Sequence, residues 1–397
     1  MAGYDRKIYW IWLQQVFSPG SHRINALFGK FSTAQAIYEL GREGWIDSHA
    51  FTERELERLA AASIEKAQAV FLRAQELNCQ VITPEDPLYP VRLRHIYAMP
   101  AVLYVKGDIS QVDQELIISM VGTRSCTEYG LRAAETLAGQ LAKRGAVIVS
   151  GLAAGIDTAA IQGALHASGK AYAVTGCGID IAYPAQNRKL MEWMCQYTAV
   201  ITEYPPATPP YPGHFPQRNR LISGLGLGTV VVEAGEGSGA LITAGHALEQ
   251  GKDVFGVTAR MEDSRSSGVF NLIRAGAKPV FSAEDVLEEY RHLFSERAEK
   301  ETVNPTAGTP APQEKPEPGR TKEAPEWLDE TGRVIFEALE ARPASVQAIA
   351  ARTGLGVGEL LPALTELEIE GIVCSGPIGQ FRLAEEYLLE EATTNKL

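Results

Sequence analysis

The sequence predicts an α/β fold built on a mostly parallel sheet, set between a helical domain at the N-terminus and a small helix-and-hairpin domain at the C-terminus. Three observations predict it. Residues 1–78 carry only helical periodicity, punctuated by Gly and Pro. Residues 79–292 alternate short apolar runs with amphipathic stretches, which is the grammar of repeated β-α units. A segment rich in Pro, Glu, Lys and Thr, 293–325, then separates off a last domain, 326–390. That segment has almost no large apolar residue to offset the entropy of ordering, so it reads as a disordered linker. A chain of 397 residues is too long for one ordinary domain and long enough for a large core with satellites.

In the helical domain, Ile8, Ile11, Trp12 and Val16 mark an amphipathic helix stopped by Ser18-Pro19-Gly20-Ser21. Ile24, Leu27 and Phe28 begin a second helix, Thr33 to Leu40 a third, and Thr52 to Leu77 a longer one with Thr52 and Glu55 spaced for a capping box. The helix, turn, helix opening looks like a SAM-like or helix-hairpin-helix module; a plain helical packing domain fits equally, because the turn lacks a clean glycine hairpin. From Val81 the pattern becomes β. Strands are expected at 81–83, 101–106, 116–121, 146–150, 170–175, 199–203, 229–233, 253–257 and 279–281, with helices at 128–144, 157–167, 187–195, 239–250 and 269–275 between the later ones. Such alternation gives a Rossmann-like core with helices on both faces. In the last domain, helices at 334–339, 345–353 and 357–371 precede a hairpin of 372–374 and 380–383, which is winged-helix order. Its third helix has several acids and no Lys or Arg, which favours protein contact over reading of a DNA groove.

Composition bounds the function. Hydrophobic residues at 45% and charged residues at 22% are ordinary globular values. The formal net charge of -12 repels nucleic acid as a whole, so any phosphate binding needs a local basic cluster, with the excess acid elsewhere. Five cysteines without C-x-x-C spacing read as reduced thiols, and neither metal nor cofactor is expected. With no signal-like apolar run at the N-terminus and no apolar stretch long enough for a bilayer, a cytoplasmic protein without membrane partners is expected.

Ligands of open α/β sheets bind outside the carboxyl ends of the strands, and the loops expected there carry the chemistry. Gly122-Thr123-Arg124 follows the first core strand, and Gly151 and Gly155 flank the next loop. Tyr183 and Asn187 follow Gly176-Cys177-Gly178, and Gly237-Ser238-Gly239 opens a helix. A proline-rich approach, 204–212, leads into His214-Phe215, with Pro216 closing the loop and a short helix starting at Arg218 or Asn219. That start puts Arg218, Asn219 and Arg220 at a helix N-terminus, an anion site by charge and by free N–H groups. Solvated arginines on a surface turn are the alternative for that stretch alone. Aromatic residues beside such arginines are how proteins hold single-stranded bases without reading sequence. Catalytic candidates are thin: His166 and His246 lie in helical stretches, Asp157 reads as a helix cap, and Glu233 is the one carboxylate that keeps a hydrolase in play. Neither a dinucleotide fingerprint nor a Walker A sequence occurs.

The segments SMVGTRSCTEYG, SGLAAGIDTAAIQGAL, TGCGIDIAYPAQN, EYPPATPPYPGHFPQRNRLISGL, VVVEAGEGSGALITAGHALEQGKDVF and NLIRAGAKP closely resemble the core of the bacterial DNA-processing family DprA, also called Smf. The resemblance covers about residues 80 to 285, and the flanking domain order is similar too. It implies binding and protection of single-stranded DNA, its delivery to the recombinase RecA in natural transformation, and homodimerisation, with no catalytic step. By position, Arg124, Arg218, Asn219 and Arg220 hold phosphates, and Leu272 and Ile273 lie in the region used for self-association. Ile161 and Gly245 stand where the family commonly has a histidine and an arginine, Ala185 where it often has a lysine, and Ala154 where it is often basic. Each departure removes a possible phosphate contact. The other reading is an enzyme on small phosphorylated nucleosides, like the phosphoribohydrolases whose glycine loop EGSGALIT resembles.

Overall fold

The computed structural model describes residues 4–259, 263–291, 324–325, 328–339, 344–376, 380–384 and 387. The chain divides into two compact units, Met1–Val303 and Asn304–Leu397. The linker expected at 293–325 falls outside the described residues except for Ala324 and Pro325.

Five helices open the first unit: α1 (Arg6–Val16), α2 (Arg23–Phe28), α3 (Ala34–Asp47, kinked at Gly41), α4 (Glu53–Ala61) and α5 (Ile64–Glu76). α1 is apolar nearly all round, and Trp10, Ile11, Trp12 and Leu13 are buried, because it lies between the other helices and the sheet. The capping box of Thr52 and Glu55 is present, yet the single helix expected over 52–77 is two. Ala62 takes an extended conformation and Ser63 caps a new helix through its hydroxyl. The groups freed by the break are taken up by α1: Gln15 bonds the Ser63 N–H and C=O, and Trp12 Nε1 donates to the Ala62 carbonyl. Local periodicity ran through a break that only a neighbouring helix makes affordable. Gln14, also buried, donates to the Glu203 carbonyl and accepts from the Tyr104 hydroxyl, so α1 and the sheet share one hydrophobic core.

The sheet has nine strands: β1 (Gln80–Ile82), β2 (Leu103–Gly107), β3 (Ile117–Val121), β4 (Val147–Ser150), β5 (Ala171–Thr175), β6 (Ala199–Thr202), β7 (Gly228–Val231), β8 (Asp253–Val257) and β9 (Lys278–Val280). Their order is β1-β2-β6-β5-β4-β3-β7-β8-β9. β1 and β2 join antiparallel at one edge, and the pairs from β6 to β9 are parallel. The central strands are buried throughout, as in sheets covered on both faces. Covering helices are α6 (Val91–Arg94), α7 (Glu128–Lys143), α8 (Ile156–His166), α9 (Arg188–Tyr197), α10 (His214–Leu225), α11 (Gly239–Glu249) and α12 (Ser267–Arg274). From β3 the chain winds outward through β4, β5 and β6, and from β7 it winds the other way. The topological switch point therefore lies between β3 and β7, where such sheets open a crevice at their carboxyl ends.

α10 crosses beside that crevice, and it is held at its C-terminus and midway along its length. Lys252 Nζ donates to the carbonyls of Ser223, Gly224 and Gly226 at 2.6–2.8 Å, and Arg92 Nη1 to that of Leu225 at 2.9 Å. Two basic side chains thus satisfy the orphan carbonyls of its C-terminus; burial pulls the Lys252 pKa down to about 7, and positive charge at this end complements the helix dipole. Midway, buried Arg220 pairs with buried Glu203 at 2.6 Å and donates to the carbonyls of Ala98 and Gln217.

The second unit has helices Glu330–Ala338, Val346–Thr353 and Val357–Ile369 and strands Ala344–Ser345, Val373–Gly376 and Gln380–Leu383. It is a winged helix. The expected two-stranded hairpin gains a third strand, since Ala344 and Ser345 pair with Phe381 and Gln380; two residues are too few to show a period. Among the described residues no helix is long and apolar enough to cross a membrane, and no cluster of metal-ligating side chains occurs.

Two stability predictions follow from the anchoring of α10. Glu203→Ala leaves the Arg220 guanidinium buried without a counter-charge and should cost about 3–5 kcal/mol, read as a lower urea midpoint with unchanged slope, whereas Glu203→Gln should cost less. Lys252→Met should cost about 2–3 kcal/mol by leaving buried carbonyls without donors; an unchanged midpoint would show that water replaces the ammonium.

Candidate functional site

At the switch point lies an open cleft of about 1030 Å³. Its walls come from the loop after β3, the loop after β7 with the start of α11, the first two turns of α10, and the start of α12. α10 begins at His214, not at Arg218 or Asn219. Pro216 sits inside its first turn, where a missing N–H leaves no intrahelical bond unmade. Arg218, Asn219 and Arg220 are therefore in the second turn, and all three are buried.

Their burial separates them. Arg218 Nη1 donates to the Gly151 carbonyl at 2.8 Å and to the Val174 carbonyl, and Nε to Asn219 Oδ1 at 3.2 Å, while the side chain still lines the cleft. Burial pulls its pKa down to about 10, opposed by the neighbouring Asp157 charge, so it stays cationic at neutral pH. Asp157, buried in the first turn of α8, accepts from the Gly151 N–H at 3.1 Å. Burial raises its pKa, and the Arg218 charge and backbone donors act against the rise. Asn219 also lines the cleft and donates to the Gly239 carbonyl at 3.1 Å. Arg220 points elsewhere, into its pair with Glu203, and is absent from the cleft lining.

The ring of Phe215 is the centre of the floor. The Arg124 guanidinium carbon lies 5.0 Å from its centroid and that of Arg218 5.9 Å, within cation–π reach. Tyr183 packs on it at 5.2 Å. Arg124 itself is exposed. Thr123 is pinned by its N–H to the Glu233 carbonyl at 2.7 Å, which fixes the Gly122-Thr123-Arg124 loop over the sheet. His214 stands behind the cleft wall, stacked on Tyr204 at 4.0 Å, and it steadies the first turn of α10 and the proline-rich loop.

The glycines divide into two kinds. A Cβ at Gly151 would stand 2.6 Å from Asp157 Oδ2 and 2.7 Å from Arg218 Nη2; one at Gly122 would strike Ile156; and Gly155, at φ +82°, lies against the Thr123 and Arg124 carbonyls. These three admit protein neighbours rather than open a path to a ligand. Gly237 and Gly239 have nothing within 4 Å of such a Cβ. With Ser238 capping α11, they present open backbone to the cleft at a helix N-terminus. Asn187 is buried under the cleft and donates to the Leu152 carbonyl and Thr158 Oγ1.

Of the positions that depart from the family pattern, Ile161 is wholly buried in the core, and Ala154, Ala185 and Gly245 are likewise absent from the cleft lining. Leu272 and Ile273 lie on α12, away from the cleft; Leu272 borders a separate recess of about 330 Å³ with Leu248 and Gly276. Glu233 is buried and accepts from the Thr127 N–H and, at 2.6 Å, from the Thr127 hydroxyl. It anchors the start of α7 and does not line the cleft, where the carboxylates are those of buried Asp157 and exposed Glu236. The sequence reading missed Arg265. It is exposed on the cleft rim after β8, and among the described residues its guanidinium has no partner. The strand-end rule that found the other loops also reaches this one, but SRSSG carries no motif of its own.

The comparisons with known proteins agree with this architecture. The family model described as DNA recombination-mediator protein A matches residues 80–291, and a winged-helix model of the same family matches 311–377. Protein Smf of Synechocystis sp. is 33% identical over 392 residues, covering 94% of this chain and 98% of its own. DNA processing protein DprA of Bacillus subtilis is 41% identical over 224 residues, 56% of this chain and 75% of its own. The X-ray structure of DNA processing protein A from Streptococcus pneumoniae superposes with a TM-score of 0.64 at 33% identity, covering 73% of this chain and 99% of that one. With a cleft at the switch point of a Rossmann-like sheet, a winged helix after it and a full-length relative at this identity, the chain belongs to the DNA recombination-mediator protein A family of DNA-processing proteins.

Proposed function

We propose that the cleft binds single-stranded DNA without regard to sequence, and that the chain protects such strands and delivers them to a RecA-type recombinase in the cytoplasm. The observation that carries this reading is the Phe215 floor flanked by Arg124 and Arg218. A strand offers a polyanionic backbone and unpaired base faces, and this floor offers fixed cations beside an aromatic face, with Tyr183 at the rim. Arg218 is held in place before any ligand arrives, so little side-chain entropy is lost on binding. Arg124 and Arg265 are the exposed partners that close on phosphate oxygens, with the open backbone of Gly237 and Gly239 beside them. The family resemblance supports the recombinase step and self-association through the α12 region around Leu272 and Ile273. The acidic third helix of the winged domain suits a protein contact rather than a groove of DNA.

With Arg124, Arg218 and Arg265 as the neutralising cations, the affinity for poly-dT should fall with salt at a log–log slope of about -2. Arg124→Ala should weaken binding about tenfold or more and flatten the slope by about 0.7. Fluorescence anisotropy with a labelled poly-dT oligonucleotide and duplex competitor measures both. Equal affinity for duplex, or an Arg124→Ala variant that binds like wild type at every salt concentration, would remove the cleft from the account.

A further inference from the structure

We propose that the outward face of α9 is a second platform for the same single strand, continuous with the cleft, on which bases stack against Trp193 and Tyr197. The inference rests on the single-strand reading of the cleft and extends it along the molecule.

α9 buries Met191 and Met194 and turns Arg188, Lys189, Trp193 and Tyr197 outward. Trp193 is 42% exposed and Tyr197 60% exposed, and their rings lie 4.8 Å apart. Two large rings resting on each other in solvent forgo the core burial open to such side chains, so their outward placement asks for a ligand with flat faces. Lys189, Trp193 and Tyr197 follow one another at i, i+4 and i+8, which puts them in one row down the helix. Neither Arg188 nor Lys189 has an ion-pair or hydrogen-bond partner among the described side chains. In a chain of net charge -12, a strip with two free cations at its head and aromatic rings below suits a polyanion with stackable bases.

The strip is joined to the cleft by the chain itself. Tyr183 lines the cleft and packs on Phe215; Pro184 and the 3-10 turn Ala185–Asn187 follow, and α9 begins at Arg188. Because α9 connects the parallel strands β5 and β6, it starts at the carboxyl edge of the sheet, where the cleft opens, and runs about 15 Å toward the other edge. A strand leaving the cleft past Tyr183 meets Arg188 and Lys189 first and the two rings next. Glu192 lies on the same face and opposes the phosphates, which gives a variant with an effect of opposite sign.

The experiment uses the full chain and two poly-dT oligonucleotides, one of about 6 nucleotides that fills only the cleft and one of about 20 that reaches past it. Trp193→Ala combined with Tyr197→Ala should weaken the longer oligonucleotide about 10- to 100-fold and leave the shorter one unchanged. Trp193→Phe should keep most of the longer one's affinity, and Glu192→Gln should tighten it. Arg124→Ala serves as the cleft control and should weaken both. If the double alanine variant binds the longer oligonucleotide as wild type does, the platform is overturned, and a protein-binding role for the face is left in its place. If Arg124→Ala has no effect while the double variant weakens the longer oligonucleotide, the platform stands and the cleft reading falls.

Discussion

The structure depends on how α10 is anchored. This helix carries Phe215, Arg218 and Asn219 to the cleft, yet what fixes it is the buried pair of Arg220 with Glu203 and the two basic side chains that close its C-terminus. Glu203 follows β6, Arg92 lies in α6 and Lys252 precedes β8, so one helix is tied to distant parts of the sheet. Glu203 reaches further still, since its carbonyl holds Gln14 of α1. A pair this deeply buried gives up hydration on both sides, and its net contribution to stability is small. Its effect is geometric: it leaves α10 one seat on the sheet, and the position of the Phe215 ring follows from that seat.

For an acidic chain to hold nucleic acid as proposed, its positive charge must stand where water and counter-ions do not dilute it. Arg218 meets that need by standing over backbone carbonyls inside the wall of the cleft, where burial lowers its pKa only to about 10 and the buried Asp157 carboxylate beside it, also part of the lining, tempers its charge. Arg124 and Arg265 stand at the rim, exposed and adjustable. A fixed cation inside and mobile cations outside suit a ligand that is recognised by backbone charge and base faces rather than by base edges. The glycines share this division. Gly122, Gly151 and Gly155 let the walls close on each other, and Gly237 and Gly239 leave backbone open.

Much of the candidate site was legible because α/β sheets place their loops by rule. A glycine-bearing loop after each of several parallel strands must emerge at one edge, and the cleft is lined by the loops after β3, β7 and β8 together with the helix that follows the proline-rich approach. What the residues did inside that edge was not legible. PQRNR reads as a loop closed by Pro216 with Arg218 to Arg220 at the start of a helix, but Pro216 entered the first turn of α10, and the helix register then sent Arg218 to the cleft and Arg220 into the core. Residues two apart on a helix point about 200° apart, so a start shifted by four residues changes which arginine a ligand can meet. Asn187 and Glu233 were lost to the site by partners far away in sequence, Leu152 and Thr127.

By itself the sequence determined the alternation that builds a parallel sheet, the helical start, the winged-helix order and the edge on which a ligand would sit, since each is fixed by short-range periodicity and turn chemistry. Tertiary structure decided the rest. It broke the helix after Ala61, because Gln15 and Trp12 were there to take up the freed backbone. It merged the helical segment into the core of the sheet, because α1 is apolar on nearly every side. It also chose which candidate side chains face solvent, because burial and pairing depend on neighbours that a local pattern does not specify.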